Sequence, residues 1–148
     1  MMEKTRVLFV CVHNAARSQM AEAFMNHICD DSYEAESAGL EPTEVNPLAI
    51  EAMKEVGIDI SGNRSKSVFN FFKEGRLYGF VVTVCDESNA EQCPIFPGIT
   101  ARLHWSFEDP SAFTGSSEER LAKIRTLRDS IKTRILEFCK NQPRIELK

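Results

Sequence analysis

The apolar positions of this chain follow two periods. Val7, Leu8, Phe9 and Val10 form a nearly unbroken β-favouring run, and Phe80, Val81, Val82 and Val84 form a second; strands covered on both faces have this pattern. Behind the first run, Met20, Ala23, Phe24 and Ile28 recur at helical spacing, which predicts a helix from about Arg17 to Cys29. A further helix is punctuated at both ends, with Asn46 as N-cap, Pro47 at the first helical position, an apolar stripe of Leu48, Ala52, Met53 and Val56, and Gly57 just past the end. The last helix opens on the capping-box pattern Ser116-x-x-Glu119, buries Leu121, Ile124, Leu127, Ile131, Ile135 and Phe138, and ends before Pro143. Between these lie a second strand near Tyr33 to Ser37, a short helix around Val68 to Lys73 and a fourth strand near Ala101 to Trp105. Alternating strands and helices predict an α/β three-layer sandwich with a central parallel sheet and right-handed crossovers.

Composition narrows this to one core. A chain of 148 residues, 43% hydrophobic, is the size of one domain, expected to span residues 1–148. The apolar run Val7 to Val12 is too brief for a signal-peptide core or a membrane span, so the expectation is a soluble, cytoplasmic protein with no membrane partner. A formal net charge of -4, without a basic run, gives no general attraction for nucleic acid, so any bound anion must be held by local donors. The five cysteines, Cys11, Cys29, Cys85, Cys93 and Cys139, are odd in number and lack a secretory context. Such cysteines are catalytic, metal-binding or buried, and a structural disulfide is not expected. Cys29 and Cys139, on the apolar side or end of a helix, are read as structural. The stretch from Phe107 to Ser117, rich in Ser, Pro and Gly, reads as a loop.

The chemistry concentrates in Cys11-Val12-His13-Asn14-Ala15-Ala16-Arg17-Ser18, which follows a buried strand and opens a helix. A Cys and an Arg six positions apart are a weak signal alone; their context is not. A loop from a strand's carboxyl end to a helix N-terminus turns successive backbone N–H groups toward one point, where the positive end of the helix dipole adds to them. That point attracts a tetrahedral oxyanion, and Arg17 can add a bidentate fork that Lys cannot copy. The same field acts on Cys11, since a thiol that ordinarily titrates near 8.5 can fall to roughly 3.5–7.5 in such a place. Ser18 can donate to the resulting thiolate, and Asn14 can brace the loop through its backbone. His13 is read as lining the loop rather than as a base, because a thiolate made by dipoles needs none.

The segment CVHNAARSQMAEAF, preceded by VLFV, resembles the phosphate-binding loop of the low-molecular-weight tyrosine phosphatase superfamily, and SQMAE resembles its arsenate reductase branch. SAGL at Ser37 to Leu40, NPLAI at Asn46 to Ile50, VGIDIS at Val56 to Ser61, VVTVCDESNAEQCPIFPG at Val81 to Gly98 and HWSFEDPSA at His104 to Ala112 extend the resemblance over nearly the whole chain. The resemblance implies a four-stranded parallel sheet flanked by helices and a thioredoxin-coupled arsenate reductase. In such an enzyme Cys11 attacks arsenate, Cys85 and Cys93 carry the electrons away as a disulfide, and thioredoxin resets the pair; no cofactor is bound.

Asp109, in the EDP triplet, matches the superfamily's general acid, with Glu108 as the competing carboxylate. The polar segment Asp86 to Gln92 is suited to a short helix that unwinds to let the two sulfurs meet. Some reductases of the family hold potassium at residues matching Asn14, Glu22, Ser37 and an aspartate. Lys66 falls at the last of these positions, so the expectation is an ammonium in place of the ion and no bound metal. A monomer is expected. Two other readings stay open: a phosphatase hydrolysing phosphate monoesters with Cys11, Arg17 and Asp109, which would need neither Cys85 nor Cys93, and a non-catalytic oxyanion or redox sensor.

Overall fold

The computed structural model describes residues 4–141, apart from the side chains of 87 and 88. Four strands, β1 (Thr5–Cys11), β2 (Tyr33–Gly39), β3 (Phe80–Thr83) and β4 (Ala101–His104), form one parallel sheet in the order β2-β1-β3-β4. The helices are α1 (Arg17–Ile28), α2 (Pro47–Glu55), α3 (Val68–Lys73), α4 (Glu87–Ala90) and α5 (Ser117–Asn141). The two central strands are those that read as continuous apolar runs, and Val7, Leu8, Phe9 and Val10 are fully buried. On one face, Val7, Phe9 and Val82 pack with Phe24 of α1, Met53 of α2 and Ile131, Ile135 and Phe138 of α5. On the other, Leu8, Val10 and Val81 pack with Val68 and Phe71 of α3 and with Cys93 and Phe96. The expected three-layer α/β sandwich with a four-stranded parallel sheet is the architecture found.

Helix ends follow the punctuation. Asn46 Oδ1 accepts the Leu48 N–H at 2.9 Å, and Gly57 takes φ +82° just beyond α2. At α5, Ser116 Oγ accepts the Glu119 N–H at 3.1 Å, and Glu119 Oε1 accepts the Ser116 N–H at 3.4 Å, the reciprocal capping box. β2 runs two residues further than the pattern suggests, to Gly39, and β4 ends at His104, one residue sooner. The Phe107 to Ser117 stretch contains one 3-10 turn, Pro110–Ala112. Pro143 lies outside the described residues.

One expectation is overturned. Cys29 and Cys139 form a disulfide, with Cα atoms 6.4 Å apart and a sequence separation of 110. Composition argued against a structural disulfide, and nothing local links two residues so far apart. Packing does: Cys29 closes the end of α1, Cys139 lies in the last turn of α5, and Phe24, Met25, Ile135 and Phe138 hold the two helices together in the same core.

Candidate active site

The loop between β1 and α1 folds as it does because its carbonyls are held from outside. The oxygens of Cys11, Val12, His13 and Ala15 accept N–H groups from Leu40, Glu41, Thr43 and Asn46. Asn14 O accepts Ser65 Oγ at 2.9 Å and Gln19 Nε2 at 3.3 Å. Holding the carbonyls from outside keeps the loop's backbone oxygens satisfied away from Cys11. The Asn14 N–H donates to Cys11 Sγ at 3.1 Å, and Ser18 Oγ lies 2.8 Å from the same sulfur. The Asn14 N–H, the Ser18 hydroxyl and the N-terminus of α1 therefore converge on the sulfur of a residue that is 2% exposed.

Asn14 braces the loop, but through Ser18, Gln19 and the Lys66 N–H rather than, as the sequence suggested, through the loop's own backbone. It sits at φ +52°, in the left-handed region that asparagine tolerates better than most residues. Its Nδ2 donates to Ser18 Oγ at 2.7 Å, while its Oδ1 accepts the Lys66 N–H at 2.9 Å and Gln19 Nε2 at 3.1 Å. His13 lines the rim, its Nδ1 3.1 Å from Glu41 O. A cavity of about 290 Å³ opens over the loop, lined by Cys11, His13, Ala15, Ala16 and Arg17 from below and by Thr43, Asn46 and Asp109 from the sides.

Arg17 is 5% exposed and donates to Phe107 O at 3.3 Å, and its Nη2 lies 3.6 Å from Asp109 Oδ2. Asp109 caps the 3-10 turn, accepting the Ser111 N–H at 2.9 Å. Partial burial pushes its carboxyl up, but the Ser111 hydrogen bonds and the charges of Arg17 and His13 outweigh this and hold it below the ordinary carboxylate range. Asp109 is thus ionised beside Arg17. An incoming oxyanion would take Arg17's fork and bring like charge to the carboxylate, and both changes raise its hold on a proton. Of the two carboxylates in the EDP triplet, Asp109 is the one that lines the cavity.

The three remaining thiols are free and buried. Cys85 belongs to the same apolar cluster as Cys11, whereas Cys93 lies on the opposite face of the sheet with Leu8, Val10 and Val81. Burial raises both thiols to about 11; the charge of Arg17 works against this at Cys85, and that of Arg102 at Cys93. The expected short helix is present as α4, and the Cys93 N–H donates to Ala90 O at 3.2 Å, folding the segment back on itself.

At the position where a cation was considered, Lys66 Nζ lies 3.5 Å from Glu22 Oε1, and Ser37 Oγ donates to the same carboxylate oxygen at 3.0 Å. Burial raises the Glu22 carboxyl, against the lowering effects of Lys66 and Ser37.

Two residues that shape the site were not singled out from sequence. Gln19 is fully buried, donates to Arg64 O at 2.9 Å as well as to Asn14, and accepts Asn63 Nδ2 at 3.1 Å, so it ties the loop to the segment before α3. Gly39 ends β2 against the loop. A Cβ there would lie 2.8 Å from Asn14 N and from Val12 O, so only glycine lets the two backbones approach. Its place at the end of a strand, in SAGL, was the available signal; a buried glutamine has none.

A family model described as low molecular weight phosphotyrosine protein phosphatase matches residues 6–144. An arsenate reductase of Shouchella clausii is 41% identical over 138 residues, covering 93% of this chain and 97% of that protein. A thioredoxin-dependent arsenate reductase of Corynebacterium glutamicum superposes with a TM-score of 0.72 at 33% identity over 93% of this chain, which spans 61% of that longer one. An arsenate reductase in a phosphate-binding state superposes with a TM-score of 0.71 at 33% identity, covering 92% of this chain and 97% of the other.

Proposed function

The chain belongs to the low molecular weight phosphotyrosine protein phosphatase family, with the arsenate reductases as its relatives, and from that premise we infer that it reduces arsenate to arsenite through Cys11, Cys85 and Cys93. The observation that supports the reading is that Cys85 is a buried free thiol near enough to Cys11 and Arg17 to feel both charges, with another free thiol, Cys93, eight residues on in the chain.

The loop N–H groups of residues 12–17 and the Arg17 guanidinium bind the arsenate oxygens. The Cys11 thiolate attacks arsenic and displaces one oxygen, which leaves as water with a proton passed by Asp109. Cys85 then attacks Cys11 Sγ. The arsenic–sulfur bond breaks with its electron pair going to arsenic, arsenite departs, and a Cys11–Cys85 disulfide remains. Cys93 attacks Cys85, returning Cys11 to its thiolate and leaving a Cys85–Cys93 disulfide for a thioredoxin-class dithiol to reduce. Because Cys85 and Cys93 begin on opposite faces of the sheet, the Asp86 to Gln92 segment must unfold for this step. Lys66 serves Glu22 in place of a cation, so activity is the same with and without potassium.

The test is arsenite release from arsenate with thioredoxin, thioredoxin reductase and NADPH. Sustained turnover by the wild type that Cys93→Ser loses is the expected result. Cys11-dependent hydrolysis of a phenyl phosphate with no arsenite formed would replace this reading with the phosphatase one, which the complete loop and Asp109 favour as a side activity.

A further inference from the structure

Each relay thiol must become an anion at its turn, and the surroundings that favour this differ between them. Cys11 has the loop, and Cys85 lies within the field of Arg17. Cys93 has neither. It is 4% exposed, on the α3 face of the sheet among Leu8, Val10, Phe71, Tyr78, Val81 and Phe96.

The side chains that reach this region from β4 are set by register. Arg102 pairs with Val81 and His104 with Thr83, and paired residues of neighbouring strands share a face, so both project on the face that carries Cys93. His104 is engaged, its Nδ1 2.7 Å from Thr83 Oγ1. Arg102 is exposed, and together with Thr83, Ala90, Glu91, Leu103 and His104 it lines an open cavity of about 420 Å³ beside the redox segment. Ala90 is the residue whose carbonyl holds the Cys93 N–H.

We propose that Arg102 is a positioning residue of the relay, acting through Cys93 as the counter-charge for its thiolate. The inference rests on the three-cysteine reading. In the step it serves, Cys93 loses its proton to solvent while still on the face that carries Arg102; the Asp86 to Gln92 segment then unfolds, and the sulfur attacks Cys85 Sγ of the Cys11–Cys85 disulfide. That bond breaks with the electron pair leaving on Cys11, and the Cys85–Cys93 bond forms; no external oxidant is needed. Arg6 and Arg76 lie over the Tyr78 and Phe71 rings of the same cluster, but both are paired with Glu36, and Arg76 also with Glu74. Glu91, on the segment itself, is the nearby charge of opposite sign; Tyr78, pushed up by burial, stays neutral, and His104 is held by Thr83. Arg102 is thus the positive charge that β4 brings to the segment.

The experiment measures alkylation of Cys93 by iodoacetamide across pH 7–11 in the fully reduced, full-length protein, read by peptide mass spectrometry, for wild type, Arg102→Gln and Arg102→Lys. Arg102 is exposed on an edge strand, so neither variant threatens folding. Loss of one opposing charge at a partly screened site moves a titration by up to about one pH unit. Arg102→Gln should therefore alkylate about three- to tenfold more slowly below the midpoint. Arg102→Lys should stay within about twofold of wild type, and added salt should narrow the gap between wild type and Arg102→Gln. Superimposable wild-type and Arg102→Gln profiles would overturn the proposal, as would equal slowing in both variants, which would mark a packing contact rather than a charge. The alkylation readout needs no arsenate. If the profiles shift as expected but turnover survives Cys93→Ser, the relay reading fails and the role of Arg102 in it falls, while the Arg102 to Cys93 pairing stands.

Discussion

The two ends of α1 treat cysteine in opposite ways. At the N-terminus, Cys11 meets the Asn14 N–H, Ser18 Oγ and the positive end of a helix about 18 Å long. At the C-terminus, Cys29 meets Phe24, Met25, Phe138 and another cysteine, and forms a bond. The first sulfur is surrounded by donors that stabilise charge. The second lies in the apolar cluster, where a covalent partner removes two weakly satisfied groups at once. Reactivity here belongs to the surroundings of the thiol rather than to its burial, because both sulfurs are nearly inaccessible.

The sharpest test of this contrast is substitution at each end. Cys11→Ser should lower arsenite formation by about four orders of magnitude or more, measured in single turnover, because no other group can make the first bond. The double variant Cys29→Ser/Cys139→Ser should stay within about twofold of wild type in the same assay. Its effect should fall on stability instead. Closing a loop of 110 residues is worth about 4–5 kcal/mol on a chain-entropy account, so the oxidised wild type should melt about 10–20 °C above the double variant. With dithiothreitol present the difference should vanish; if it persists, packing and not the crosslink holds α5 to α1.

Arg17→Lys keeps the charge at the reactive end but removes the fork. A fall in kcat/KM of about a hundredfold is expected, roughly the cost of losing one aimed donor to an oxyanion. Gly39→Ala should destabilise by about 1–3 kcal/mol, because Asn14 N and Val12 O would have to retreat from the new Cβ, and KM for arsenate should rise with it. The smallest effect concerns Asp109. Its folded carboxyl lies below the ordinary range, so its contribution to stability is present above the unfolded pKa and lost as pH falls through the folded one. Asp109→Asn should flatten the acid limb of a pH–stability curve by less than about 1 kcal/mol, since the side chain is partly exposed.

What the sequence made legible was local. The loop, the N-cap at Asn46, the capping box at Ser116 and the apolar stripes each depend on residues within a few positions of one another, and each appears where expected. The role proposed for Cys85 and Cys93 came through resemblance, since their spacing fits no common redox or zinc motif. The parts that sequence hid are those joined across the chain, Cys29 with Cys139 and Gln19 with Arg64, whereas the meeting of Arg17 with Asp109 was expected only through the resemblance. Only packing brings these together, and no period or motif encodes a meeting of α1 with α5. Gly39 stands between, visible as a glycine at a strand end but interpretable only once the loop lies against it.

The position of α5 has a consequence for how the molecule is made. Ile131, Ile135 and Phe138 form the outer wall of the core on the α1 face, and they belong to the last helix of the described chain. At ordinary rates of synthesis the residues before Ser117 take on the order of ten seconds to emerge. Phe9 lacks this cover for nearly all of that interval, and Val82 and Trp105 lack it from the time they are made. The nascent chain therefore presents an open apolar sheet to the cell until α5 arrives, which makes its handling at the ribosome, more than its equilibrium stability, the stage at which a weakened α5 would be felt.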